Sequence, residues 1–81
     1  MKDLLEYLVK EIVPHPKSVK IKEEEESNGS LKLFITVDPE DMGLVIGKKG
    51  NTISAIRSLV KTAAAKQGQE VYIELVEADE S

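Results

Sequence analysis

Two glycines, Gly47 and Gly50, interrupt a stretch that otherwise reads as helix, and they constrain this chain more than any other feature. Val45-Ile46 precede them, Lys48-Lys49 fill the gap, and Asn51-Thr52-Ile53 open a new helical pattern. Glycine admits positive φ and lets another backbone come close. The chain must therefore turn here and restart as helix, with two cations at a helix N-terminus, where anions are favoured. A G-x-x-G loop of this kind suits the phosphates of a nucleic acid. It does not suit a nucleoside triphosphate. Gly43 and Gly47 enclose three residues instead of four, and Lys49 follows Lys48 where a Walker loop needs Ser or Thr. The dinucleotide pattern G-x-G-x-x-G is also absent.

The rest of the chain supplies elements on either side of that turn. Leu4, Leu5, Leu8, Val9, Ile12 and Val13 recur at helical spacing over residues 2–13, and Pro14 and Pro16 end the run. Val19 and Ile21 alternate with Lys20 and Lys22 as a strand. Asn28-Gly29 signals a hairpin turn, and Leu31, Leu33, Ile35 and Val37 form one face of a second strand. Asp38-Pro39 starts a short helix that breaks at Gly47. The longer helix runs from about Asn51 to Lys66, buries Ile53, Ile56, Val60, Ala63 and Ala64, and ends at Gly68. Val71, Ile73 and Leu75 make the last strand, and residues 77–81 are a polar tail, frayed by expectation. The order α-β-β-α-α-β predicts a two-layer α+β domain with all helices on one face of a three-stranded sheet.

Charge is distributed unevenly. The net charge is −4, yet residues 42–66 hold Lys48, Lys49, Arg57, Lys61 and Lys66 and no acid. The remaining residues set six lysines against all fifteen acids. A local cationic site on an acidic body predicts selective binding of a polyanion instead of general stickiness. The chain has no cysteine, which excludes disulfides and thiolate metal sites. No apolar run approaches the roughly 20 residues of a membrane span, and residues 1–13 carry acids, unlike a signal peptide. The expectation is a cytoplasmic protein without membrane association. No nucleophile–base pair or metal cluster supports an enzyme, and no cofactor is expected.

The stretch Val45 to Ile56 fits the pattern V-I-G-x-x-G-x-x-I-x-x-I at every specified position and resembles the KH domain. The extra helix and strand before the minimal core resemble the type II arrangement, with a mixed sheet. A chain of this length resembles the small bacterial KhpA-type RNA-binding proteins. The resemblance covers nearly the whole chain, as a single KH domain over residues 1–78 with a tail at 79–81. It implies that single-stranded RNA, and single-stranded DNA as a further candidate, binds in a groove. One wall is the short helix and G-x-x-G loop; the other is the longer helix and a sheet edge. By the same resemblance, Gly47 and Gly50 shape the loop, Lys48 and Lys49 lie against phosphates, and Ile46 and Ile53 support base contacts or the packing beneath. It further implies an RNA chaperone or post-transcriptional regulator that associates with itself or with a larger KH partner of the KhpB or Jag type.

The candidate RNA-binding set is Ile46, Gly47, Lys48, Lys49, Gly50, Asn51, Ile53 and Arg57. Arg57 and Lys61 sit one turn apart beside the buried stripe, as backbone contacts or as a solvated flank, and Lys66 is expected in solvent. Ala55, Leu59 and Thr62 share another flank of the long helix and are the candidate self-association face. The rival reading is a protein-interaction adaptor on a KH scaffold. Phe34 and Tyr72 fall on the sheet face away from the core. His15, between two prolines, reads as a loop spacer, because a metal site needs several ligands. Glu23 to Glu26 reads as a solvated hairpin end, and Asp38, Glu40 and Asp41 as acids serving the start of the short helix. Tyr7 has no assigned role.

Overall fold

A computed structural model describes residues 1–76. The element order is α1 (Lys2–Ile12), a 3-10 turn (Pro16–Ser18), β1 (Lys20–Glu25), β2 (Leu31–Thr36), a 3-10 turn (Pro39–Asp41), α2 (Met42–Ile46), the loop turn Lys48–Gly50, α3 (Asn51–Ala65) and β3 (Val71–Val76). The expected frayed tail lies outside the described residues.

The sheet has strand order β1-β2-β3. β1 and β2 pair antiparallel, with Ile21 opposite Ile35, and β2 and β3 pair parallel, with Leu33 opposite Ile73. A parallel pair needs a long crossover, and here α2, the loop and α3 provide it. The glycine turn is thus held between two elements that are both tied to the sheet.

Alternation sets the core. Leu33, Ile35 and Val37 are fully buried, with Val71, Ile73, Val19 and Ile21 beside them. From the helices come Leu5, Val9, Val13, Val45, Ile53, Ile56, Val60 and Ala64. Some residues of the expected apolar faces fall short of full burial: Ile12 is exposed, Ala63 is half-buried at the margin of its helix's apolar stripe, and Leu4, Leu8, Leu31 and Leu75 are half-buried against the edge of the core. The acid run also differs from expectation. β1 continues through Glu23, Glu24 and Glu25, which are paired with β2, although their side chains are exposed as expected. Charge on this edge strand opposes pairing with another chain.

The turns follow from specific residues. Gly29, at φ +91°, closes a three-residue hairpin in which its N–H donates to Glu26 O and Glu26 N–H to Ser30 O. α3 ends in a Schellman motif: Gln69 N–H bonds Ala64 O at 2.9 Å and Gly68 N–H bonds Ala65 O at 3.0 Å, with Gly68 at φ +71°. Gln69 Nε2 also donates to Gly29 O at 2.8 Å, joining the hairpin to the α3–β3 connection.

Candidate nucleic-acid interface

The loop between α2 and α3 takes an unusual backbone path. Gly47 has φ +78° and ψ 171°, Lys49 φ +57° and ψ 26°, and Gly50 φ +76° and ψ 12°. Three of four consecutive residues thus occupy positive φ, and one of them is a lysine that pays a steric cost there. A Cβ added at Gly47 would run into Thr52 Oγ1 and lie 2.7 Å from Thr52 N, whereas one at Gly50 would meet nothing within 4 Å. Gly47 is therefore demanded from beneath, by the first turn of α3. Gly50 is demanded by φ alone and borders open space.

Around this loop the side chains divide by burial. Lys48, Lys49 and Asn51 are exposed. Among the described residues, neither lysine takes part in an ion pair. Ile46 on α2 is 39% exposed, while Ile53 on α3 is 7% exposed and packs in the core. Leu44, unremarked in the sequence, is 50% exposed beside Ile46. It could have been foreseen: a five-residue helix that turns Val45 into the core must turn its neighbours out.

Further along α3, Arg57 Nε donates to the carbonyl of Ile73 at 3.1 Å, linking α3 to the edge strand β3. Lys61 Nζ lies 5.3 Å from the centroid of the Tyr72 ring, a cation–π distance. The Tyr72 hydroxyl donates to Glu70 Oε2 at 2.7 Å, and this bond, followed by the carboxylate's charge, raises the phenol above its ordinary value. Arg57 and Lys61 thus flank β3 with structural partners of their own. Lys66 is exposed. Ala55, Leu59 and Thr62 lie exposed on a different flank of α3, with Leu59 53% accessible. Phe34 is half-buried and Tyr72 exposed on the outer sheet face.

Two sequence readings need correction. His15 is more than a loop spacer: its N–H donates to Asp41 Oδ2 at 3.0 Å, and its Nδ1 pairs with Asp41 Oδ1 at 2.9 Å. Asp41 is 1% exposed and makes no side-chain cap for α2, so its carboxylate secures the α1–β1 connection instead of the helix start. The cost of burying that carboxylate is offset by these two bonds. The hydrogen bond and charge of Asp41, with smaller contributions from Asp38 and Glu40, raise the His15 pKa above its ordinary value of 6.5. Asp38 does act as expected, accepting the N–H of Glu40 at 2.9 Å. A separation of 26 residues hid the His15–Asp41 pair from pattern reading.

Among the described residues no helix is long and apolar enough to cross a membrane. The fold is shared with Era in its complex with MgGDPNP and nucleotides 1506–1542 of 16S ribosomal RNA. The TM-score is 0.60 at 24% identity over 94% of this chain, which spans 29% of the Era chain. The chain is 40% identical over 77 residues to RNA-binding protein KhpA of Halalkalibacterium halodurans, covering 95% of this chain and 100% of that protein. It is 44% identical over 79 residues to RNA-binding protein KhpA of Clostridium perfringens, covering 94% of this chain and 100% of that one. A sequence model of the KhpA/KhpB KH domain matches residues 2–75. With the type II order of elements and the G-x-x-G turn joining α2 to α3, these matches establish that the chain belongs to the KhpA/KhpB KH-domain family, whose members are RNA-binding proteins and not enzymes.

Proposed function

We propose that this protein binds single-stranded RNA, with the Gly47–Gly50 loop as its backbone clamp. The observation that carries the reading is the loop itself: two exposed lysines on a positive-φ backbone, with open space at Gly50 and the N-terminus of α3 directly behind. Lys48 and Lys49 neutralise phosphates, and the open approach at Gly50 lets the sugar-phosphate chain come close. Asn51, exposed in the first turn of α3, adds a polar group at the same place. Ile46 offers an apolar surface for bases, Ile53 supports the loop from below, and Arg57 carries the cationic track toward β3. A KH module holds about four nucleotides in this manner. Relatives named RNA-binding protein support the same assignment. The role we assign is that of a cytoplasmic RNA chaperone or post-transcriptional regulator.

Fluorescence titration of a short single-stranded RNA pool tests this, with wild type compared with Lys48→Asp/Lys49→Asp at two salt concentrations. Circular dichroism checks the fold. Loss of salt-sensitive binding in a folded double variant is the expected result. Equal binding by both proteins moves the site elsewhere, and no binding by either favours the adaptor reading. A single-stranded DNA pool of the same length measures the preference between the two nucleic acids.

The adaptor reading retains one specific observation, the exposure of Leu59 between Ala55 and Thr62 on a flank of α3. We assign that flank to self-association or to a KhpB/Jag-type KH partner. Such pairing would add avidity to RNA binding rather than replace it.

A further inference from the structure

His15 is the sole histidine, and the chain has no cysteine, so a metal site with a nitrogen side-chain ligand of the imidazole type has to include this ring. The fold supplies the other parts. A ring nitrogen of His15 and one carboxylate oxygen each of Asp38 and Glu40 lie within 4.8 Å of one another. Asp41, a third carboxylate and outside that trio, is 1% exposed and holds His15 Nδ1 at 2.9 Å and His15 N at 3.0 Å. A buried carboxylate on one imidazole nitrogen is the arrangement that fixes ring orientation and tautomer for metal binding through the other. Asp41 engages Nδ1, so the inferred site assigns coordination to Nε2.

We infer that His15, Asp38 and Glu40 form a binding site for a first-row divalent cation such as Zn²⁺, with Asp41 as the positioning residue for the imidazole. One nitrogen and two oxygens match the donor chemistry of Zn²⁺, and water completes the coordination. Mg²⁺ and Ca²⁺ prefer all-oxygen sets, so the imidazole selects against them. Metal–ligand bonds of roughly 2.0–2.2 Å require the three donor atoms to draw closer. Glu40 can make that adjustment, since its exposed carboxylate has no hydrogen bond or ion pair among the described residues. Asp38 accepts the Glu40 N–H through Oδ1, which leaves Oδ2 for the ion.

The site bridges two segments that are distant in sequence. His15 belongs to the proline-flanked connection between α1 and β1; Asp38 and Glu40 belong to the turn that launches α2. A bound ion would fasten the base of α2, the helix that leads into the Gly47 loop. It would also neutralise acids beside that helix. The site stands independently of whether the loop binds RNA.

The test uses the full chain, stripped with a chelator and titrated with Zn²⁺ in competition with a chromophoric chelator, while NMR follows the His15 ring nitrogens. The expected result is one equivalent bound, with the Nε2 resonance displaced and Nδ1 still protonated. Glu40→Gln, which leaves every described side-chain contact in place, should weaken binding about tenfold or more. His15→Gln should abolish it, and millimolar Mg²⁺ should not compete. The inference is overturned if Glu40→Gln binds Zn²⁺ as tightly as wild type, or if the first equivalent leaves the ring resonances unmoved. Because Glu40→Gln is a surface change, a folding defect in His15→Gln leaves the test decisive.

Discussion

An added methyl group at Gly47 would overlap Thr52, whereas at Gly50 it would project into open space. Both residues hold positive φ, so both substitutions carry backbone strain, but only the first also forces α3 to move. Gly47→Ala should cost more than about 2 kcal/mol and Gly50→Ala about 1 kcal/mol, read as midpoint shifts in urea unfolding at constant slope. Lys49 presents the opposite case, a residue with a side chain at φ +57°. Lys49→Gly relieves roughly 1 kcal/mol of left-handed strain while deleting a cation. Stability should hold or rise while RNA affinity falls. A loss of both would mean that Lys49 serves the fold instead of the ligand. This strain is a local conflict of the kind that concentrates at functional sites.

Each helix carries a different burden. The N-terminal connection is pinned to α2 by the His15–Asp41 pair, and the direction of its pH response follows from the raised His15 pKa. A raised value in the folded state means that protonation favours folding. The contribution is complete below the ordinary value of 6.5 and disappears as pH rises through the folded-state value. Asp41, Asp38 and Glu40 are the acids that face the ring and produce this effect. In chelator, wild-type stability should therefore decline as pH rises through the His15 titration, and His15→Gln should lose that slope. α3 serves three surfaces at once. Its apolar stripe packs on the sheet, Arg57 reaches the Ile73 carbonyl on one flank, and Leu59 stands exposed on another. Leu59→Asp should reduce self-association in sedimentation experiments and leave monomer RNA contact intact. A variant that stays as associated as wild type removes Leu59 from the interface.

At the scale of the whole molecule, an acidic body carries one acid-free basic stretch, residues 42–66. In the proposed binding mode the acids disfavour RNA over most of the surface and the loop is the point of entry. If about three phosphates are neutralised, log K should fall with log salt at a slope near −2. Lys48→Ala/Lys49→Ala should flatten that slope by roughly 1.4, two contacts' worth. A wild-type slope steeper than about −3.5, more than the five cations of this stretch can supply, would require cations outside it, such as Lys20, Lys22 and Lys32 on the sheet.

Local rules made most of the architecture legible. Period-two alternation in Leu31–Thr36, helical spacing before Pro14, and glycines at positive φ each follow from interactions within a few residues, so they survive in a one-dimensional reading. The same locality made the Gly47–Gly50 turn and its lysines conspicuous. The packing of chain segments against one another decided the rest. It buried Ile53 while leaving Ile46 and Leu44 exposed, and it anchored Arg57 on a strand 16 residues away. It also placed Thr52 under Gly47, separating two glycines that the motif treats alike. Asp41 shows the division most clearly. Its position before α2 suggested a helix-start acid, but burial removed its water and obliged it to find donors, and only the folded chain brings His15 to it.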